Sequence, residues 1–249
     1  MHICNPPCVC RRKKIIPLII AGGFGSRLRS VVTDIPKVMV EINTKPFITY
    51  LLDRIVEMKF NEVIISTGYL ANYIEEVIGD LYKDVLTIIY SREDEPLGTG
   101  GALKNAIELI DHKYILVMNG DSYTEFDPLS LFMAHKQNNA DMTILVKAVE
   151  DTTRFGAINV DKRNNITEFT EKCSTKRRGL INTGVYIMDA AVLKRIPNKI
   201  PCSLEYDFLP IMIGKEMFSH ETTGRFIDIG TPQSFAKAER FFNQLQESH

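Results

Sequence analysis

The sequence contains no long hydrophobic run. Its longest strongly apolar stretch covers residues 15–21, whereas a helix needs about 20 apolar residues to cross a bilayer. The first residues hold prolines and cysteines instead of the apolar core of a secretory signal. We therefore expect a cytoplasmic protein with no membrane-embedded part.

An excess of charge of either sign is also absent. The 30 Lys and Arg residues and the 31 Asp and Glu residues give a formal net charge of −1, so no overall field favours nucleic acid. We expect small-molecule substrates, with any acidic ligand held by a local cationic site. The sequence leaves the oligomeric state open, including a homo-oligomer.

Cysteine is sparse and unevenly placed. Five cysteines occur, and three of them crowd the start of the chain: Cys4, Cys8 and Cys10. Their spacing matches no common zinc pair, and His2 is the one further ligand nearby. We expect residues 1–13 to form a disordered tail, with a metal-binding module as the alternative. Residues 14–249 are expected to form a single domain, because a chain of that length can bury a full core.

Two common glycine motifs are missing, although glycines follow the first apolar run. No Gly-Lys-Ser or Gly-Lys-Thr tripeptide occurs, which argues against a P-loop, and Leu28 stands where the dinucleotide-binding fingerprint needs its third glycine. Residues 18–28 instead predict a buried strand and then a loop with uncovered N–H groups. Such groups attract anions, and Arg27 and Lys37 add the cations that a polyphosphate needs.

Residues 21–28 read Ala-Gly-Gly-Phe-Gly-Ser-Arg-Leu, and a Pro-Lys pair follows at residues 36–37. This pattern resembles the signature of the sugar-1-phosphate nucleotidylyltransferases, the nucleotide-sugar pyrophosphorylases. The resemblance implies that the glycine loop holds a nucleoside triphosphate while Arg27 and Lys37 grip its phosphates. The nucleotide-binding residues that it implies in the loop are Ala21, Gly22, Gly23, Gly25 and Ser26.

Strand-like and helix-like apolar patterns alternate along the first half of the chain. The predicted strands cover residues 15–21, 63–67, 85–90, 114–118 and 142–146, and a short extended piece covers 38–42. A helix is predicted to open at residues 45–47 with Pro46 in its first turn, and further helices are predicted at 72–78, 102–110 and 232–246. This order predicts an α/β fold with a mainly parallel central sheet and helices on both faces, which is the GT-A-like fold that the resemblance implies. Short segments around a turn at residues 164–165 predict a smaller β-rich, sugar-binding part.

Glu93 precedes a second glycine-rich segment, which contains Gly98 and Thr99 and leads into a predicted helix. Glycines at a helix N-terminus favour close approach of a ligand, and a simple turn is the alternative. In the resembled family this segment lies over the base and the sugar, and the position of Glu93 reads the base. A carboxylate only accepts hydrogen bonds and guanine offers two neighbouring donors, so GTP is the expected nucleotide. Asp94 and Glu95 are alternative readers.

Asp121 follows a short apolar strand and a glycine. A carboxylate at such a strand end can bind a metal ion together with substrate phosphates, and capping of the next helix is the structural alternative. The resembled family uses this Gly-Asp aspartate for Mg²⁺, the cofactor expected here. Asp228, within residues 226–232 (Phe-Ile-Asp-Ile-Gly-Thr-Pro), is the candidate second metal ligand.

The β-rich part carries a third group of candidate residues. The resemblance assigns the sugar 1-phosphate to a glycine after an aromatic residue, a Glu-Lys pair and an Asn-x-Gly strand, which match Gly156, Glu171, Lys172, Asn182 and Thr183 here. Carboxylate and amide groups suit sugar hydroxyls, and a lysine neutralises a phosphate. Cys173 replaces the family's usual proline after Glu-Lys, and Asn-Thr-Gly at residues 182–184 differs from its usual Asn-Gly-Gly or Asn-Ala-Gly. Both departures from the family pattern lie on the sugar side.

The expected reaction joins a nucleoside triphosphate and a sugar 1-phosphate into a nucleotide sugar and pyrophosphate. Its expected catalytic residues are Arg27, Lys37, Asp121 and Lys172, and no protein nucleophile is needed. Residues 29–32, 34–37 and 95–101 most resemble the D-glycero-D-manno-heptose 1-phosphate guanylyltransferases, which implies a GDP-heptose product. The alternatives are mannose 1-phosphate with GTP, glucose 1-phosphate with dTTP or UTP, and a non-catalytic nucleotide-sugar sensor.

Overall fold

The computed structural model describes residues 14–23, 35–170 and 176–247. The expected disordered tail, residues 1–13, lies outside these ranges. The strands are β1 (Ile15–Ile20), β2 (Glu41–Ile42), β3 (Lys45–Pro46), β4 (Glu62–Thr67), β5 (Leu81–Tyr82), β6 (Leu86–Arg92), β7 (Tyr114–Asn119), β8 (Ser122–Thr124), β9 (Met142–Val149), β10 (Ala157–Val160), β11 (Ile166–Thr170), β12 (Gly179–Asp189), β13 (Met217–Glu221) and β14 (Phe226–Asp228). The helices are α1 (Phe47–Glu57), α2 (Ala71–Ile78), α3 (Gly98–Asn105), α4 (Pro128–Gln137), α5 (Leu209–Met212) and α6 (Pro232–Gln246).

A ten-stranded mixed sheet forms the centre of the fold, in the order β11-β10-β12-β7-β1-β4-β6-β5, with β9 and β13 attached through β12. Strand β1 lies between β7 and β4 and runs parallel to both, and β6 continues this parallel set. The long strand β12 runs antiparallel to β7, β9 and β10. The predicted α/β class is therefore confirmed, with a parallel first half of the sheet and a largely antiparallel second half.

Apolar side chains cover both faces of the sheet. Leu18 and Ile19 are neighbours in β1 but belong to different buried clusters, because successive side chains of a strand point to opposite faces. Helix α6 closes one face, where Phe242 stacks on Tyr50 with ring centroids 3.8 Å apart. Among the described residues, none of the helices is both long and apolar enough to span a bilayer.

Three predicted segments differ from the structure. Pro46 is not in the first turn of a helix, because it pairs with Glu41 in the β2–β3 ladder and α1 begins at Phe47. Residues 38–42 are not all extended, because a short 3-10 helix at Lys37–Met39 precedes β2 and buries Val38 and Met39. The predicted helix at residues 102–110 begins earlier, at Gly98, and gives way to a 3-10 helix at Ala106–Leu109. Its first turn is stabilised from a distant part of the chain, since the N–H groups of Gly100 and Gly101 donate to the Cys202 carbonyl at 2.8 and 3.2 Å.

Candidate active site

A cavity of about 850 Å³ opens where β1 and β7 end. The second half of the fold closes it through the start of β10, the middle of β12 and the turn after β14. The predicted site residues that line it are Ala21, Gly23, Lys37, Thr99, Asp121, Gly156, Asn182, Thr183 and Asp228. Residues predicted separately for nucleotide, metal and sugar therefore line one cavity at the carboxyl edge of parallel strands, where ligands of α/β proteins usually bind.

Several predicted residues lie outside the described part of the chain: Gly25, Ser26, Arg27, Glu171 and Lys172. The structure therefore leaves their assignments as predictions. The same holds for the cysteines at the start of the chain, Cys4, Cys8 and Cys10.

Lys37 and Asp121 form the central contact of the cavity. The Lys37 Nζ donates to Asp121 Oδ2 at 2.5 Å, with the lysine side chain 13% exposed and the aspartate side chain 43% exposed. Gly120 explains how Asp121 reaches this place. A Cβ at Gly120 would lie 2.5 Å from the Ile20 carbonyl oxygen, so only glycine lets the chain after β7 pass so close to the end of β1.

The alternative assignment of Asp121 as a helix cap is wrong. Helix α4, the next helix, is capped by Asp127, whose carboxylate accepts from the N–H groups of Leu129 and Ser130. Asp121 is left with its carboxylate facing the cavity beside Lys37.

A two-stranded ladder brings Asp228 next to Asp121. Strand β14 pairs antiparallel with β8, with Asp228 opposite Ser122, and the Ile229 N–H donates to the Asp121 carbonyl at 2.9 Å. A Cβ at Gly230 would lie 3.0 Å from Asp228 Oδ1 and 3.3 Å from Lys37 Nζ. The two aspartates and the lysine therefore surround one small volume.

The two aspartates have the oxygen ligands that a Mg²⁺ ion prefers. No group of three or more His, Cys, Asp and Glu side chains that could hold a metal occurs in the described ranges. A hard cation between Asp121 and Asp228 would therefore draw its remaining ligands from water and substrate phosphates, which is the usual arrangement for Mg²⁺. The residues present fit such an ion.

Glu93 is anchored at the end of β6. Its Oε1 accepts from Ser66 Oγ at 3.0 Å and its Oε2 accepts from the Leu97 N–H at 3.1 Å. Burial raises the pKa of the Glu93 carboxyl above its usual range. A Cβ at Gly22 would lie 2.6 Å from Glu93 Oε1, so the carboxylate lies against the first loop glycine. The alternative readers, at positions 94 and 95, are exposed.

Packing inside the protein explains part of the second glycine segment. Gly98 has φ of +77°, and a Cβ there would lie 2.5 Å from the Cys202 carbonyl oxygen. The close approach that the sequence attributes to a ligand is thus made by the chain itself. Thr99 does reach the cavity wall, where its Oγ1 donates to Glu205 Oε2 at 2.9 Å and accepts from the Leu204 N–H at 2.7 Å.

The amide of Asn182 is fixed at both ends. Its Oδ1 accepts from the Gly184 N–H at 2.9 Å, and its Nδ2 donates to the Tyr186 hydroxyl at 2.7 Å. One N–H of the amide remains for a ligand. The neighbouring Thr183 is buried, and its hydroxyl donates to the Leu145 carbonyl at 2.8 Å, so a ligand would meet its backbone rather than its hydroxyl.

The sequence reasoning missed two charged residues on the cavity wall, Arg154 and Glu205. Arg154 donates to Asp228, and its place directly before the Phe155-Gly156 pair was a signal that could have found it. Glu205 follows a helix-capping serine, whose role is confirmed by the bond from the Tyr206 N–H to Ser203 Oγ. Because this capping role explained the segment structurally, nothing in the sequence indicated that Glu205 lies on the cavity wall.

Comparisons with known proteins agree with this geometry. The family model described as nucleotidyl transferase matches residues 16–244. A D-glycero-alpha-D-manno-heptose 1-phosphate guanylyltransferase of Aneurinibacillus thermoaerophilus is 35% identical over 224 residues, covering 90% of this chain and 96% of that protein. The protein of that name from Campylobacter jejuni is 33% identical over 229 residues, covering 88% and 96%. The crystal structure of HddC from Yersinia pseudotuberculosis complexed with GMP-PN has a TM-score of 0.80 and 35% identity, covering 91% of this chain and 98% of that one.

Proposed function

The chain belongs to the nucleotidyl transferase family, and we propose that it is a sugar-1-phosphate guanylyltransferase. It joins GTP and a sugar 1-phosphate into a GDP-sugar and pyrophosphate. The proposed sugar substrate is D-glycero-D-manno-heptose 1-phosphate. Two relatives that match this chain over 96% of their own length are named as guanylyltransferases of that sugar phosphate. The observation that carries the proposal is the Lys37–Asp121 contact beside Asp228, at a cavity also lined by Asn182.

In the proposed reaction a phosphate oxygen of the sugar 1-phosphate attacks the α-phosphorus of GTP, and pyrophosphate leaves. Chemistry of this kind needs positioning and charge stabilisation rather than a protein nucleophile. Lys37 is held in place by Asp121 and would stabilise charge on the α-phosphate. Arg27 is assigned to the leaving pyrophosphate and Lys172 to the sugar phosphate.

Enzymes of this family generally use a divalent metal ion, and we propose Mg²⁺. Asp121 and Asp228 would hold it, and when bound it would neutralise phosphate charge. In the second half of the site, the sugar-binding residues proposed are Gly156, Glu171, Lys172, Asn182 and Thr183. The single N–H that Asn182 keeps free suits one sugar hydroxyl.

The base is assigned to Glu93. Its carboxylate is held by two donors of the protein, and each oxygen keeps a further lone pair for guanine. The remaining nucleotide contacts proposed are Ala21, Gly22, Gly23, Gly25, Ser26 and Thr99, while Gly98 is no longer among them because Cys202 lies against it. A cytoplasmic location and the absence of nucleic-acid partners belong to the same proposal, as does a single domain over residues 14–249.

The proposal is tested by pyrophosphate release from the purified protein with Mg²⁺, D-glycero-D-manno-heptose 1-phosphate and GTP, ATP, CTP, UTP or dTTP in turn. Release with GTP alone is the expected result. Release with another nucleotide would keep the reaction class and remove Glu93 as a guanine reader. Silence with all five, followed by activity with mannose 1-phosphate or glucose 1-phosphate, would correct the sugar. Silence with these as well would favour a nucleotide-sugar sensor.

A further inference from the structure

Arg154 forms an ion pair with Asp228, the carboxylate that the proposed function assigns to the metal ion. Its Nη2 donates to both oxygens of Asp228, at 3.0 and 2.8 Å. The guanidinium carbon lies 5.0 Å from the centroid of the Phe155 ring, and that ring packs edge-on against Phe226 at 5.5 Å. The side chain is thus held on the cavity wall by an ion pair on one side and an aromatic ring on the other.

Each of the two aspartates in the cavity is matched by a basic side chain: Asp121 is paired with Lys37 and Asp228 is paired with Arg154. Glu205 adds a further carboxylate to the same wall. A divalent cation that bound both aspartates while both basic side chains stayed in place would add two positive charges to these two neutral pairs. A phosphate-bearing substrate removes this obstacle, because its oxygens offer the basic side chains new partners.

Arg154 is the more exposed of the two cations, because its side chain is 41% exposed and that of Lys37 is 13% exposed. The side chain of Asp228 is 18% exposed, so the arginine has room to leave into the cavity while the aspartate stays in place. Gly156, assigned to the sugar phosphate half of the site, lies two residues further along on the same wall. A guanidinium released here would meet the phosphate of the sugar substrate, for which its planar fork is suited.

We propose that Arg154 and the divalent metal ion exchange on Asp228, and that the displaced guanidinium binds the sugar phosphate. The exchange rests on the proposed function and refines it. It makes metal binding and phosphate binding mutually favourable, because each ligand frees the partner of the other. The free enzyme therefore binds metal weakly, and Arg154 keeps the Asp228 carboxylate neutralised until substrate arrives.

The first test measures Mn²⁺ binding to the substrate-free protein by electron paramagnetic resonance, so that no turnover is involved. The partly exposed ion pair between Arg154 and Asp228 competes with the metal ion. Its removal in Arg154→Gln is therefore expected to tighten Mn²⁺ binding about fivefold. Arg154→Lys keeps a cation and should lie between the two. Arg195→Gln is the matched control, since Arg195 makes a similar half-exposed pair with Asp141 away from the cavity, and it should leave the Mn²⁺ affinity unchanged.

Asp228→Asn separates failure of the exchange from failure of the metal assignment. A Mn²⁺ site that disappears in Asp228→Asn but does not respond to Arg154→Gln overturns the exchange and leaves the proposed metal site standing. A site that does not depend on Asp228 overturns both, and so does the lack of Mn²⁺ binding in both the wild type and Arg154→Gln. Weaker binding in Arg154→Gln also overturns the exchange, because the arginine would then support the site.

Steady-state kinetics test the phosphate half of the exchange. In Arg154→Gln the KM for the sugar 1-phosphate should rise about tenfold, which is the loss of one charge-assisted contact, and the KM for GTP should stay near the wild-type value. Equal KM values for the sugar 1-phosphate in both proteins would overturn this half. Thermal unfolding of Arg154→Gln and Asp228→Asn shows whether these two variants fold.

Discussion

Substitution of Glu93 by glutamine should weaken guanine recognition without disturbing the fold. The Leu97 N–H can only donate, so it keeps the oxygen of the new amide, and the amide nitrogen faces Ser66 Oγ, which can also accept. Guanine then meets one acceptor and one donor in place of two acceptors. Losing one charge-assisted hydrogen bond costs about 1.5–3 kcal/mol, so kcat/KM for GTP should fall about 10- to 100-fold.

Inosine triphosphate makes the assay specific to the base, because it lacks the exocyclic amine of guanine. Wild-type protein should prefer GTP over inosine triphosphate in pyrophosphate release, and Glu93→Gln should lose most of that preference. Asp94→Asn is the matched control, since Asp94 is exposed beside Glu93. An unchanged preference in Glu93→Gln would refute the assignment, and a loss in Asp94→Asn instead would move the reader by one position.

The pH dependence of KM for GTP gives a second measure of the same contact. Burial raises the pKa of the Glu93 carboxyl, so its protonation on lowering the pH starts earlier than for an exposed glutamate. A proton turns one acceptor oxygen into a donor. The KM for GTP should therefore rise as the pH falls through this pKa in the wild type, and Glu93→Gln should not show that rise. Parallel pH profiles would contradict the reasoning.

Three further predictions concern activity and stability. Asp121→Asn should reduce pyrophosphate release about 100-fold or more, since it removes a proposed metal ligand and the charged partner of Lys37. The thermal midpoint should stay the same, and near-normal rates at saturating Mg²⁺ would contradict the metal role. Gly120→Ala should lower the free energy of unfolding by about 1–3 kcal/mol in urea titrations, because its Cβ would meet the Ile20 carbonyl oxygen at 2.5 Å, whereas Gly23→Ala, with open space around its Cβ, should not. Burial lowers the pKa of His135 to about 4 from 6.5, so the unfolded chain takes up the proton at a higher pH than the folded protein does. The free energy of unfolding should therefore fall by about 3 kcal/mol between pH 7 and pH 4. An equal pH dependence of the unfolding free energy in the wild type and His135→Gln would disprove this.

The sequence carried the parts of the fold that depend on local pattern. The run that became β1 and the strand end at Asp121 were predicted because apolar residues stop abruptly at glycines there. The start of α3 was misplaced, because its first-turn N–H groups are satisfied by Cys202, a partner far along the chain that no local rule indicates.

The candidate site divides in the same way. Lys37, Asp121 and Asp228 were found from motifs, and the structure adds how they meet, through the pairing of β8 with β14. The ion pair between Arg154 and Asp228 could not be predicted, since it joins the turn before β10 to the end of β14, two segments far apart in the sequence. Tertiary contacts of this kind decide which charges neighbour one another in a site.

The pairing of β8 with β14 also sets when the site can exist during synthesis. Strands β1, β4, β6 and β7 are made first and can form the parallel half of the sheet, whereas β8 pairs with β14 in a separate two-stranded sheet. Asp228 reaches its place beside Asp121 only when β14 has been made and pairs with β8, and α6 must follow before Phe242 covers Tyr50. A nascent chain therefore has Lys37 and Asp121 long before it has both aspartates, so the proposed metal site can form only after most of the chain has been made.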